Sequence, residues 1–141
     1  MNGNYFLDTN ILVYSFDRSH SEKQTEALRL IKTALHSGNG VISSQVMQEF
    51  LNVATKKFDV PFSLRDCRKY LDTVLSGLCR VFTSIDLYRQ ALDIMERWGY
   101  GHYDSLIVAA ALQADCEVLY SEDLHHHQKI QGLTIVNPFR R

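Results

Sequence analysis

Four carboxylates in this sequence stand where apolar runs give way to loops or helices. Asp8 follows the run 5–7, and Glu49 lies about a turn and a half into the helix that leaves the run 41–42. Asp104 opens an apolar helix, and Asp123 sits just beyond the run 118–120. If these runs are parallel strands of one open sheet, all four acids lie beyond its carboxyl edge, where such sheets bind ligands. Asp115 precedes its strand and falls at the opposite edge. Four unpaired carboxylates brought together repel one another and raise at least one pKa unless a divalent cation neutralises them. Oxygen ligands, without Cys or His at metal-ligand spacing, favour Mg²⁺ or Mn²⁺ over zinc, and such ions work mostly on phosphates. Phosphodiester chemistry is then the leading candidate.

Each acid also has a plainer reading. Asp8 suits a turn or helix cap after a strand, and Asp104 complements a helix N-terminus. On a helical wheel Glu49 lies almost opposite the stripe of Met47, Phe50, Leu51 and Ala54, so periodicity alone makes it a solvated residue. Val46 and Val53 fall nearer its own face. Asp123 competes with Glu122 as an ordinary loop acid.

The elements that must position these acids follow from periodicity. The runs 5–7 and 41–42 read as buried strands, the second after the turn signal Ser37-Gly38-Asn39-Gly40. Between them Ala27, Leu28, Leu30, Ile31, Ala34 and Leu35 recur at helical spacing, which predicts a crossover helix over 21–36. Ser44 is a candidate cap for a second helix, and Pro61 and Ser63 introduce a third carrying Leu64, Cys67, Leu71, Val74 and Leu75. A third strand is expected at 81–82, an amphipathic helix at 87–98, a helix apolar almost all round at 103–114, and strands at 118–120 and 134–136. The alternation predicts an α/β protein, a three-layer α/β/α sandwich with a mostly parallel five-stranded sheet.

Bulk composition narrows the setting. With 141 residues, 45% of them apolar, the chain is expected to form a single domain over 1–141. Fifteen Lys and Arg nearly balance sixteen Asp and Glu, so a net charge of −1 signals neither a nucleic-acid coat nor a membrane-surface binder, and any RNA contact must be local. The longest apolar run, 106–112, is too short to span a membrane, and residues 1–10 lack the basic start of a secretory signal, so a cytoplasmic protein is expected. Cys67, Cys79 and Cys116 are odd in number and widely spaced, which suggests neither a disulfide framework nor a zinc site.

Five segments together resemble the PIN-domain ribonuclease family, most of all the VapC-type toxins of toxin–antitoxin pairs. They are Phe6-Leu7-Asp8-Thr9-Asn10, Ser44 with Gln48-Glu49-Phe50, the stretch 103–111 from Tyr103-Asp104-Ser105, Leu119-Tyr120-Ser121-Glu122-Asp123-Leu124, and Ile135-Val136-Asn137-Pro138-Phe139. The resemblance spans the chain. It implies a five-stranded parallel sheet and a metal-dependent endoribonuclease in which Asp8, Glu49, Asp104 and Asp123 bind Mg²⁺ or Mn²⁺. Asp123 is preferred to Glu122 because the family pattern is a small hydroxyl residue, any residue, then Asp. Thr9, Asn10 and Ser44 resemble the polar groups that orient the acids and the attacking water, with turn and cap chemistry as their alternative.

The resemblance further implies an RNA substrate, a homodimer and a small antitoxin partner. The apolar face of 63–76, with Leu64, Cys67, Tyr70, Leu71, Val74 and Leu75, is wider than one packing contact needs, so part of it is expected to meet a partner. Lys56, Lys57, Lys129, Arg140 and Arg141 are the candidates for phosphate contacts, with a solvated surface as their alternative. Two departures stand out: the chain is not basic, and His125, His126 and His127 follow the last acidic segment, where a solvated loop is preferred to a metal site. A stand-alone RNA-processing nuclease and a catalytically idle RNA-binding or regulatory module are the other functions in view. A phosphoaspartate protein fits less well, because Asn10 stands where those phosphatases carry a second acid and residues 2–4 supply no paired acid for a receiver.

Overall fold

A computed structural model describes residues 3–140. Tyr5, Phe6 and Leu7 are buried in β1 (Asn4–Leu7), a strand packed on both faces, which is why its sequence is continuously apolar rather than alternating. Asp8 ends it and caps a short helix, α1 (Thr9–Tyr14), that sinks Ile11 and Leu12. The crossover helix α2 (Ser21–Ser37) follows, and Gly38, at φ 75°, ends it in the left-handed conformation that glycine adopts without a Cβ penalty. Gly40 opens β2 (Gly40–Ser43) directly beneath α2, where a Cβ would come within 2.2 Å of the Ala34 Cβ. Only glycine lets helix and strand approach this closely.

Ser43 begins the excursion expected from the sequence, but it, not Ser44, caps α3 (Ser44–Lys56), its Oγ accepting from the Val46 amide at 3.4 Å. The reason is register: Ser43 keeps extended backbone and is buried at the strand end, while Ser44 is already helical. A Ser63–Asp66 capping box starts α4 (Leu64–Tyr70), which runs through a π turn (Leu71–Leu75) into the single turn α5 (Ser76–Leu78). Then come β3 (Cys79–Val81), α6 (Ile85–Trp98), α7 (His102–Gln113), β4 (Cys116–Tyr120), β5 (Lys129–Ile130) and β6 (Leu133–Val136).

The sheet order is β3-β2-β1-β4-β6-β5, with every neighbouring pair parallel except β5 and β6. Six strands therefore replace the expected five. The extra one is a two-residue edge closed by Gln131 and Gly132, both at positive φ, as a tight hairpin turn requires. From β1 the chain moves outward to β2 and β3, then returns past β1 to β4, so the direction of winding reverses between β1 and β4. Right-handed crossovers in opposite directions put α2 on one face and α6 and α7 on the other. Ser105 through Ala111 are all buried, so the middle of α7 is internal, as its sequence predicts, while His102, Tyr103 and Gln113 at its ends stay exposed. Among the described residues no helix is long and apolar enough to cross a membrane.

Candidate active site

The reversal of winding between β1 and β4 leaves a crevice at their carboxyl ends, and Asp8 and Ser121 stand in it. Asp8 is only 7% exposed. Its Oδ1 accepts from the Thr9 amide at 2.7 Å, and its Oδ2 accepts from the Ser121 hydroxyl at 2.7 Å. Burial pushes the Asp8 carboxyl up from 3.8 to about 6; the two hydrogen bonds oppose the rise, and the charges of Glu49 and Asp123 add to it.

The other acids arrive from three further segments. Glu49 projects from α3, half-buried, and its Oε1 accepts from the Thr9 hydroxyl at 2.8 Å. Asp104 lies in the first turn of α7, and burial, followed by the Asp123 charge, raises its pKa above the ordinary value. Asp123 sits exposed in the loop beyond β4; its Oδ2 accepts from the Asn10 amide at 3.2 Å, and its own amide donates to the Ser121 hydroxyl at 3.2 Å. The Ser121 side chain thus joins Asp8 to the Asp123 backbone.

Among the described residues, no Lys or Arg pairs with any of the four acids, and no three His, Cys, Asp or Glu side chains are grouped as ion ligands. Asp8, Glu49 and Asp123 each turn an oxygen toward a protein donor. The donor set nevertheless suits a hard divalent cation: every ligand atom is a carboxylate oxygen, and the buried member carries a charge that no cationic side chain offsets.

Glu122, the rival to Asp123, is already engaged. Its Oε1 accepts from the Tyr14 hydroxyl at 2.7 Å and its Oε2 from Lys23 at 2.6 Å. The geometry turns it away from the cluster.

The sequence model of the PIN domain family matches residues 5–131. The chain is a PIN-domain protein. Solved structures share the architecture. A toxin–antitoxin complex from Klebsiella pneumoniae is 22% identical, with 96% of this chain and 98% of that one covered at a TM-score of 0.67. VapC20 of Mycobacterium tuberculosis, described as a toxin that cleaves the sarcin–ricin loop, is 19% identical over 85% of this chain and 90% of that one, at 0.62. VapBC2 of Rickettsia felis, bound to a promoter DNA fragment, is 21% identical over 93% and 96%, at 0.58. A search of curated protein sequences finds no match.

Within this PIN domain the remaining expected residues fall apart into groups. Thr9 and Asn10 reach the acids, one through Glu49 and the other through Asp123. Ser44 does not: its Oγ accepts from the Thr83 amide at 3.1 Å and meets the Thr83 hydroxyl at 3.2 Å, tying the start of α3 to the loop before α6. Lys56 and Lys57 are exposed at the far end of α3, Lys129 is exposed on the edge strand β5, and Arg140 is exposed after β6. Arg141 lies outside the described residues. His125 and His127 are exposed, but His126 is half-buried and its Nδ1 accepts from the Asn137 amide at 2.9 Å, so the expected solvated loop is pinned at its middle. Ser121 had a legible signal, a hydroxyl two residues before an acid. Tyr14 and Lys23 had none, because their contacts with Glu122 bridge 108 and 99 residues.

Proposed function

We propose that this PIN domain is a metal-dependent endoribonuclease and the toxin of a toxin–antitoxin pair. The observation that carries the reading is the buried, uncompensated Asp8 carboxylate, set among Glu49, Asp104 and Asp123 at the reversal point of the sheet. Asp8, Asp104 and Asp123 would hold Mg²⁺ or Mn²⁺, with Glu49 doing so directly or through water. When bound, the ion supplies the charge that lowers the pKa of a water and stabilises the negative charge growing on the phosphate. The Ser121 hydroxyl fixes the rotamer of Asp8, Thr9 steadies Glu49, and Asn10 steadies Asp123, so the acids are oriented before any substrate arrives. No side chain of the cluster need form a covalent bond to phosphorus; the 3′-oxygen leaves, and the products carry 5′-phosphate and 3′-hydroxyl ends.

The test is incubation of the purified chain with a mixed RNA pool in Mg²⁺ or Mn²⁺, followed by end analysis. Metal-dependent fragments with 5′-phosphates, lost in Asp104→Ala, support the reading. A 2′,3′-cyclic phosphate, or cleavage untouched by chelator, overturns it.

The toxin role draws support from the names of the similar structures, one a toxin–antitoxin complex and another a toxin. A cluster of unpaired carboxylates attracts any cation, and a guanidinium can pair with two oxygens at once. An antitoxin tail placing Arg or Lys near Asp8, Asp104 and Asp123 would therefore silence the enzyme where the metal binds, and a tail disordered on its own would be easily degraded. Growth arrest on expression of the chain alone, cured by its genomic neighbour and absent with Asp104→Ala, is the expected outcome. Harmless expression of an active enzyme would favour a housekeeping RNA-processing role instead.

A further inference from the structure

Three of the four acids ride on regular structure: Asp8 on the end of β1, Glu49 in α3 and Asp104 in α7. Asp123 does not. It stands in the loop after β4, so its place depends on what grips that loop. Ahead of it, the Ser121 amide still donates to the Val136 carbonyl at 3.0 Å, and behind it Leu124 is buried in the core. Between these anchors Glu122 points the opposite way into a small polar cage. Tyr14 and Lys23 bind separate oxygens of its carboxylate, and Lys23 also donates to the Tyr14 hydroxyl at 3.2 Å. The Lys23 ammonium lies 4.7 Å from the centre of the Tyr14 ring, and the Phe139 ring packs edge-on against Tyr14 at 5.0 Å. A lone exposed ion pair contributes little; here the cation, the phenol and the carboxylate hold one another, and an aromatic ring from near the chain end covers them. The Glu122 amide points back at the Asn10 side chain, the same side chain that donates to Asp123.

We propose that the Lys23–Tyr14–Glu122 clamp positions Asp123, and so sets how tightly the acidic cluster binds a divalent cation. The inference rests on the metal-dependent reading above. Residues that orient metal ligands from behind commonly change affinity by about 10- to 100-fold when removed. Release of the clamp frees the loop between Ser121 and Leu124, and it also leaves the Glu122 carboxylate without its cation beside a site already rich in negative charge.

Simple electrostatics predicts the opposite of positioning, which makes the test decisive. Lys23→Met removes a cation near the cluster, so a pure charge effect would strengthen Mn²⁺ binding, whereas loss of positioning weakens it. Calorimetric titration with MnCl₂ is expected to show roughly tenfold weaker binding for Lys23→Met, near-wild-type binding for Lys23→Arg, and melting temperatures close to wild type for both, since Lys23 is one-third exposed. Tyr14→Phe, which removes the two hydrogen bonds of the hydroxyl and keeps the ring, serves if Lys23→Met does not fold, and its binding is expected to weaken in the same direction. Equal or tighter Mn²⁺ binding by folded Lys23→Met or Tyr14→Phe, beside a wild type that binds Mn²⁺, overturns the clamp alone. A wild type that binds no Mn²⁺ overturns the metal-dependent reading and the clamp with it.

Discussion

Replacing Asp8 by Asn tests the central claim about the site without reference to RNA. The Asp8 carboxyl is raised from 3.8 to about 6 in the folded chain, chiefly by burial. A raised acid pKa means that the folded state holds its proton more tightly than the unfolded state, so metal-free stability is lost as pH rises between those two values. Each tenfold change in proton affinity corresponds to about 1.4 kcal/mol, so above pH 6 the ionised Asp8 costs about 3 kcal/mol. Asn keeps an acceptor for the Thr9 amide but must donate to Ser121, whose hydroxyl has to turn, at a cost of about 1–2 kcal/mol. The net gain, about 1–2 kcal/mol, corresponds in a domain of this size to a melting temperature higher by roughly 3–8 °C. The assay is thermal unfolding by circular dichroism in chelator at pH 7.5, repeated at pH 4.5, where Asp8 is protonated and the gain is expected to shrink. Nuclease activity should vanish throughout. A melting temperature that falls at pH 7.5 would refute the reasoning and make Asp8 a structural cap.

Ser121→Ala removes the hydroxyl shared by Asp8 and the Asp123 amide, and urea unfolding is expected to show a loss of about 1–2 kcal/mol, with a loss of cleavage as well; an unchanged midpoint would deny the contact any role. His126 has the opposite pH sign from Asp8: its pKa lies below 6.5, through burial and the neighbouring charges of His127 and Arg140, so the folded state binds fewer protons and stability falls as the solution is acidified through that range. Protonation at Nδ1 abolishes the bond from Asn137, so His126→Gln should flatten the stability profile between pH 5 and 7, and identical profiles for the two proteins would exclude the histidine. The exposed Leu64 and Leu71 suit a second copy of this chain, so sedimentation at micromolar concentration is expected to show a dimer that Leu71→Lys dissociates; a monomeric wild type refutes it.

The strands and long helices were legible because burial on both faces writes continuous apolar runs and burial on one face writes a period of 3.6. The elements that escaped are those too short to write either. α1 buries only Ile11 and Leu12, and β5 is two residues long. The wide apolar face of 63–76 divides in three dimensions: Leu75 enters the core, Tyr70 stacks on Phe50 at 4.8 Å, and Leu64 and Leu71 stay exposed. Periodicity failed at Glu49 for a different reason. A helix wheel separates apolar from polar, but a polar face turned toward Thr9 in a crevice looks the same as one turned toward solvent. Asp8 and Asp123 stood out by their places just past strands and Asp104 by opening an apolar helix, Glu49 was kept by the family resemblance, and the Lys23–Tyr14–Glu122 cage had no local pattern to betray it.

The site also has an order of assembly built into it. The bond between Asp8 and Ser121 joins residues 113 positions apart, and it requires β4 to lie beside β1. Loop closure of this length is among the slow steps of folding. A folding chain can therefore hold Asp8 and Glu49 on β1 and α3 before β4 brings Asp123 beside them, so the four acids stand together only in the nearly finished fold. For the nuclease proposed above, the late arrival of the fourth acid leaves a partly folded chain without a complete metal site.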